Sequence, residues 1–168
     1  MNILHFAKFI KNYRNISITP DSEMAVNIAN VIPVDSLILS SDLKRAVQTA
    51  TAVTGGTAFR IDKLFREVSL PLLHLPGTTK CSHWWGLSIA LRICGLAGKV
   101  ESTKQAKLRV TIAAAQLSKE AMTRDVVLFG HGVMNYFIAK ELLSSGWSGL
   151  IPRNIKHWDV MVLTKDEK

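Results

Sequence analysis

Cysteine is scarce in this chain: Cys81 and Cys94 are the only two among 168 residues. Two are too few for a disulfide scaffold and lack the spacing of a metal-ligand set, so free, buried thiols are expected. Long apolar runs are missing as well. No stretch approaches the roughly 20 residues that cross a bilayer. The first residues, Met1-Asn2-Ile3-Leu4-His5-Phe6-Ala7-Lys8, lack the basic segment and apolar core of a secretory signal. A cytoplasmic protein without a membrane partner is therefore expected. Internal repeats, low-complexity tracts and linkers are absent too, and residues 1–168 read as one domain. At 48% hydrophobic and 20% charged residues, the composition is globular.

Positive charge is what the chain has in excess: 21 Lys and Arg against 13 Asp and Glu, a formal net charge of +8. Such a surplus suits an acidic ligand, whether a phosphate ester, a nucleotide or a nucleic acid, and equally a plain soluble surface. The basic residues are dispersed, no run of five occurs and no nucleic-acid-binding motif accompanies them. Nucleic acid is therefore not the expected partner. His74, His83 and His157 have no partner spacing for a metal, and none is assigned. A serine-hydrolase reading fails because no Gly-x-Ser-x-Gly occurs; Ser145-Gly146-Trp147-Ser148-Gly149 does not supply it.

Hydrophobic periodicity orders the rest. Phe6, Phe9, Ile10 and Tyr13 recur at helical spacing. Residues 23–31 read as a helix with Met24, Ile28 and Val31 on one face. Residues 37–40 read as a buried strand, followed by a helix over 43–53 with Ala46, Ala50 and Val53 inward, broken by Gly55-Gly56. A short strand is expected near 58–61 and a helix over 84–94. A strong helix spans 104–122, with Leu108, Ile112, Ala115 and Leu117 in an alanine-rich run. A strand over 126–129, a helix over 133–143 and a last strand over 157–163 complete the pattern. Strands alternating with helices imply an α/β layered fold with a mostly parallel sheet.

Two strand-to-helix junctions carry the chemistry. Ser40-Ser41-Asp42-Leu43-Lys44-Arg45 follows the first buried strand, and Gly130-His131-Gly132 follows the run Asp125-Val126-Val127-Leu128-Phe129. Backbone N–H groups and the helix dipole favour an anion at such a junction. The planar fork of Arg45 suits phosphate oxygens; position alone favours a surface arginine. Ser41 and Asp42 read as helix caps. His131, between glycines that permit close backbone approach, stands where α/β sheets bind ligands. Glu67 is either a general acid or the salt-bridge partner of Arg66. The tryptophans Trp84, Trp85, Trp147 and Trp158 read as packing residues or a substrate wall.

The arginine, glutamate and histidine in this order resemble the histidine phosphatase superfamily, the phosphoglycerate-mutase-like proteins. The resemblance rests on residues 40–50, on Phe65-Arg66-Glu67 with Pro71, and on Phe129-Gly130-His131-Gly132. Thr19-Pro20, Trp84-Trp85, Glu101-Ser102, Asn135 and Gly146-Trp147 extend it over residues 19–163. It implies a three-layer α/β/α fold and two-step phosphoryl transfer to and from a histidine. Arg45 and His131 would hold the phosphoryl oxygens and Glu67 would protonate the leaving group. Neither metal nor cofactor would be required, and a small phosphorylated compound would be the substrate. Discrimination among substrates would lie in residues 72–102, with Asn135 and Trp85 contributing.

One departure stands out. The family's nucleophile belongs to an Arg-His-Gly that ends its first strand, and this chain contains no Arg-His-Gly. His5 lacks both neighbours. The resemblance therefore implies a member whose first strand is missing, by truncation or by loss. Such a chain would be impaired in turnover, or would serve as a non-catalytic phosphate-ligand or partner-binding module. The absent strand would lie beside the strand ending at His131, leaving an edge open to self-association.

Overall fold

The computed structural model describes residues 22–69 and 101–165, with isolated positions at 12, 17, 80, 83, 86, 87, 89, 90 and 94. The chain divides into two compact units. One comprises Met1–Ile16 with Val68–Leu108; the other comprises Ser17–Glu67 with Arg109–Lys168. The second unit holds a parallel sheet of three strands, β1 (Leu37–Ser41), β2 (Arg60–Asp62) and β3 (Val126–Phe129), in the order β2-β1-β3. Four α-helices occur among the described residues: α1 (Ser22–Ala29), α2 (Lys44–Thr54), α3 (Thr103–Glu120) and α4 (Gly132–Ser144). A separate antiparallel pair joins β4 (Ser148–Gly149) to β5 (Leu163–Thr164). The fold is mixed α/β.

β1 lies between the other two strands and is the most deeply buried of them. Its register sets Leu39 against Arg60 and Ser41 against Asp62 on one side. On the other it sets Leu37 against Val126 and Ser40 against Phe129. Side chains alternate across a strand. Ile38 accordingly joins Val127 and Phe129 on the face covered by Ala25 and Ile28 of α1 and by Ala50 and Val53 of α2. Leu39 points to the opposite face and is completely buried.

Local chemistry explains the helix bounds. In α2, Ala46, Ala50 and Val53 recur at helical spacing and are all buried. The helix stops where Gly55 takes a left-handed φ of 61° and its N–H bonds to Thr51 O, a conformation glycine adopts without a Cβ penalty. α3 begins with a reciprocal cap. Gln105 N–H donates to Ser102 Oγ at 3.2 Å, and Ser102 N–H donates to Gln105 Oε1 at 2.8 Å.

Several expectations need correction. In α3 the buried stripe is Ala106, Val110, Ala113, Ala114 and Leu117, whereas Leu108 and Ile112 are 62% and 49% exposed. Small side chains, which permit close approach, line the buried side. Met24 and Val31 are exposed, and Ala25 carries the α1 contact, because α1 ends before Val31. The expected strand over 157–163 reduces to Leu163–Thr164. Before it, Trp158 adopts a left-handed φ of 69°, and Asp159 Oδ2 accepts Lys156 N–H at 2.6 Å, so a turn replaces the strand. Cys94 is free but exposed. Of the helix expected over 84–94, positions 86, 87, 89 and 90 are helical. The helix expected around residues 6–13 lies outside the described residues. No described helix is long and apolar enough to cross a membrane.

The burial pattern predicts that Leu39→Ala lowers unfolding free energy in urea by about 2–5 kcal/mol, while Leu108→Ala changes it by about 0.5 kcal/mol or less. Equal losses would contradict the assignment of the core.

Candidate functional site

The C-terminal ends of all three parallel strands open toward one place, the position where α/β sheets bind ligands. β1 ends in Ser41 and passes through Asp42 and Leu43 into α2, whose second residue is Arg45. β3 ends in Phe129 and passes through Gly130 and His131 into α4. β2 ends in Asp62 and passes through a 3-10 turn, Lys63–Phe65, to Arg66 and Glu67. Asp62 holds that turn by accepting Leu64 N–H at 2.9 Å.

His131 is the N-cap of α4, with extended backbone dihedrals and no side-chain cap bond. Its ring is therefore available for other contacts, and Nε2 lies 2.8 Å from Ser41 Oγ. Both residues are buried, His131 to 6% exposure and Ser41 completely. Burial is the main reason the imidazole pKa falls from 6.5 to about 3. The adjacent Arg45 charge pushes the same way, and Asp42 opposes it. His131 is thus a neutral ring at pH 7, held near a permanent cation.

Asp42 does not cap α2. Its carboxylate takes a two-pronged bond from Arg66, with Nε and Nη2 each 2.5 Å from a carboxylate oxygen. That guanidinium holds the Asp42 pKa below its usual 3.8. The pairing keeps a negative charge at the mouth of the site neutralised, and it gives Arg66 a partner other than the neighbouring Glu67. Ser41 also departs from simple capping: its Oγ accepts Leu43 N–H at 3.3 Å and faces His131.

Glu67 reaches the same helix end as His131. Its Oε1 accepts the N–H of Met134, in the first turn of α4, at 3.1 Å, where a carboxylate is favoured by the helix dipole. Arg109 of α3 secures the segment carrying Glu67. One of its nitrogens, Nη1, donates to Leu64 O at 2.9 Å and to Arg66 O at 2.7 Å, and lies 3.4 Å from Met134 Sδ. Asn135 supports the His131 loop from inside: its Oδ1 accepts His131 N–H at 3.3 Å. A Cβ at position 130 would collide with the Asn135 carboxamide, so this brace requires Gly130.

The structure therefore brings Arg45, Glu67 and His131 to the sheet's C-terminal end, with Asn135 bracing the histidine loop. Trp85, His5 and His74 lie outside the described residues. Ser41, Asp42 with Arg66, and Arg109 emerge only in three dimensions. Arg109 stands 43 residues from the Arg66 carbonyl it binds, a separation that carries no local sequence signal. Among the described residues, no group of three metal-capable side chains occurs.

The profile of the histidine phosphatase superfamily (branch 1) matches residues 22–168. The chain belongs to that superfamily. Its fold is similar to that of a phosphoserine phosphatase variant from Entamoeba histolytica crystallised with phosphoserine, at 20% identity and a TM-score of 0.57, covering 77% of this chain and 68% of that one. It is also similar to a mycobacterial glucosyl-3-phosphoglycerate phosphatase. The vanadate (VO3) complex of that enzyme matches at 27% identity and a TM-score of 0.55, covering 77% of this chain and 71% of that one. Its inorganic-phosphate complex matches at 28% identity and a TM-score of 0.52, covering 73% and 67%. No curated protein matches the chain.

The buried His131 has a consequence for stability against pH. Its folded pKa of about 3 lies below the unfolded value of 6.5, so between those limits the unfolded chain binds a proton that the folded chain does not. Stability at this site is full above pH 6.5 and falls as pH drops toward 3, by up to about 1.4 kcal/mol per pH unit. Urea titrations from pH 7 to 4 are expected to show a shallower fall for His131→Gln than for the parent. Parallel curves would contradict a buried, neutral His131.

Proposed function

We propose that this chain binds phosphate monoesters, with Arg45 and His131 holding the phosphoryl oxygens and Glu67 on the leaving-group side. The observation that carries the reading is the convergence of Arg45 and His131 from two neighbouring parallel strands onto one sheet end. A fixed guanidinium and a neutral imidazole at the first turn of a helix offer hydrogen-bond donors to an oxyanion without a metal. The likeness to phosphatases crystallised with vanadate and with inorganic phosphate supports the same ligand chemistry. Trp85 and Asn135 remain the proposed substrate-binding residues, Asn135 acting through the loop it braces.

Turnover by these 168 residues is impaired on this reading. Phosphoryl transfer through a covalent intermediate needs a nucleophile, and the family's Arg-His-Gly does not occur in the sequence. A single missing nucleophile removes most of the rate, although binding and electrostatic assistance survive. The alternative is a phosphate-ligand or partner-binding module without turnover on the same scaffold, and the absence of Arg-His-Gly from the sequence favours it.

Hydrolysis of para-nitrophenyl phosphate by the parent chain beside His131→Ala tests the reading. No turnover beyond weak residual assistance is expected from either folded protein. Activity in the parent that is lost in His131→Ala would contradict impairment and would point to another nucleophile, His5 first.

A further inference from the structure

Ser41 Oγ and His131 Nε2 lie 2.8 Å apart, and which of them donates depends on the tautomer of the ring. Ser41 Oγ is completely buried, and a buried hydroxyl hydrogen is almost always donated to something. Among the described residues its hydrogen-bond partners are Leu43 N–H and His131 Nε2. A backbone N–H can only donate, so it occupies a lone pair of Oγ and leaves the hydroxyl proton without a role there. The acceptor for that proton is then Nε2, at 2.8 Å. A neutral imidazole that accepts at one nitrogen carries its hydrogen on the other.

We propose that Ser41 is a positioning residue that locks His131 as the Nδ1–H tautomer, making Nδ1 the nitrogen that donates to a bound oxyanion. This rests on the proposed role of His131 in holding phosphate, and it adds which atom does so. The position of Ser41 supports it. As the last residue of β1, its backbone is held by the pairing with Asp62 of β2, and its Oγ is held by the N–H of Leu43. The Asn135 brace fixes the backbone of the histidine from the other side. The ring is thereby oriented before any ligand arrives, which avoids paying that ordering cost on binding.

The decisive experiment is a long-range proton–nitrogen NMR spectrum of the parent chain, labelled with 15N-histidine, at pH 7. The His131 signals are identified by their loss in His131→Gln. A pyridine-type shift at Nε2 and a pyrrole-type shift at Nδ1 are expected. The reverse pattern overturns the proposal, and this requires no Ser41 variant to fold. In Ser41→Ala the proton is expected to redistribute toward Nε2, and the vanadate dissociation constant to rise about tenfold, the size of one hydrogen bond to a charged group. Ser41→Thr, which keeps the hydroxyl, is expected to restore both. An unchanged tautomer in Ser41→Ala would also overturn the assignment. If the parent bound no vanadate, the phosphate reading would fail, while the ring spectrum would still decide the role of Ser41.

Discussion

The parallel pairing of β1 with β3, from Leu37 against Val126 to Ser40 against Phe129, brings two strand-to-helix junctions to one end of one sheet. Ser41 lies one residue beyond that ladder and His131 two, and they meet across its end at 2.8 Å. Slipping the register by one residue would send Leu39 and Ser41 to the wrong face. It would separate the hydroxyl from the imidazole and carry Arg45 away from both. The core guards against that slip, because Ile38 and Phe129 fill one side while Leu39 fills the other without exposure. Packing and site geometry therefore depend on the same few ladder positions.

Charge is distributed around this ladder with some economy. Arg66 neutralises Asp42 through two bonds, and Glu67 is turned to the first turn of α4. The nearest acidic groups are thus engaged with positive partners. His131 is kept neutral by burial and, secondarily, by the Arg45 guanidinium. Arg109 belongs to the same arrangement. By binding the carbonyls of Leu64 and Arg66, it ties the Glu67 segment to the long helix α3.

Much of this was legible in the amino-acid order, for identifiable physical reasons. The spacing of Ala46, Ala50 and Val53 and the stop at Gly55 define α2 because helical periodicity and glycine's left-handed freedom are local properties. The run ending at Phe129 before Gly130 and His131 marks a strand end on the same terms. The long-range contacts were not legible. Asp42 and Arg66 are 24 residues apart, and nothing in either neighbourhood distinguishes an ion pair from a helix cap. Leu108 and Ile112 misled for a related reason. In α3, Ala106, Val110, Ala113, Ala114 and Leu117 line the buried side while Ala115 is exposed, and periodicity weighted toward Leu108 and Ile112 chooses the other face.

Vanadate affinity measured by calorimetry on the parent chain, Arg45→Met and His131→Ala addresses the central claim most directly, because it needs no turnover. The account predicts binding by the parent and a loss of about tenfold or more in each variant, as expected when a hydrogen bond to an anion is removed. Equal affinity in all three proteins, or no binding by the folded parent, would contradict the assignment of this strand end as a phosphate site.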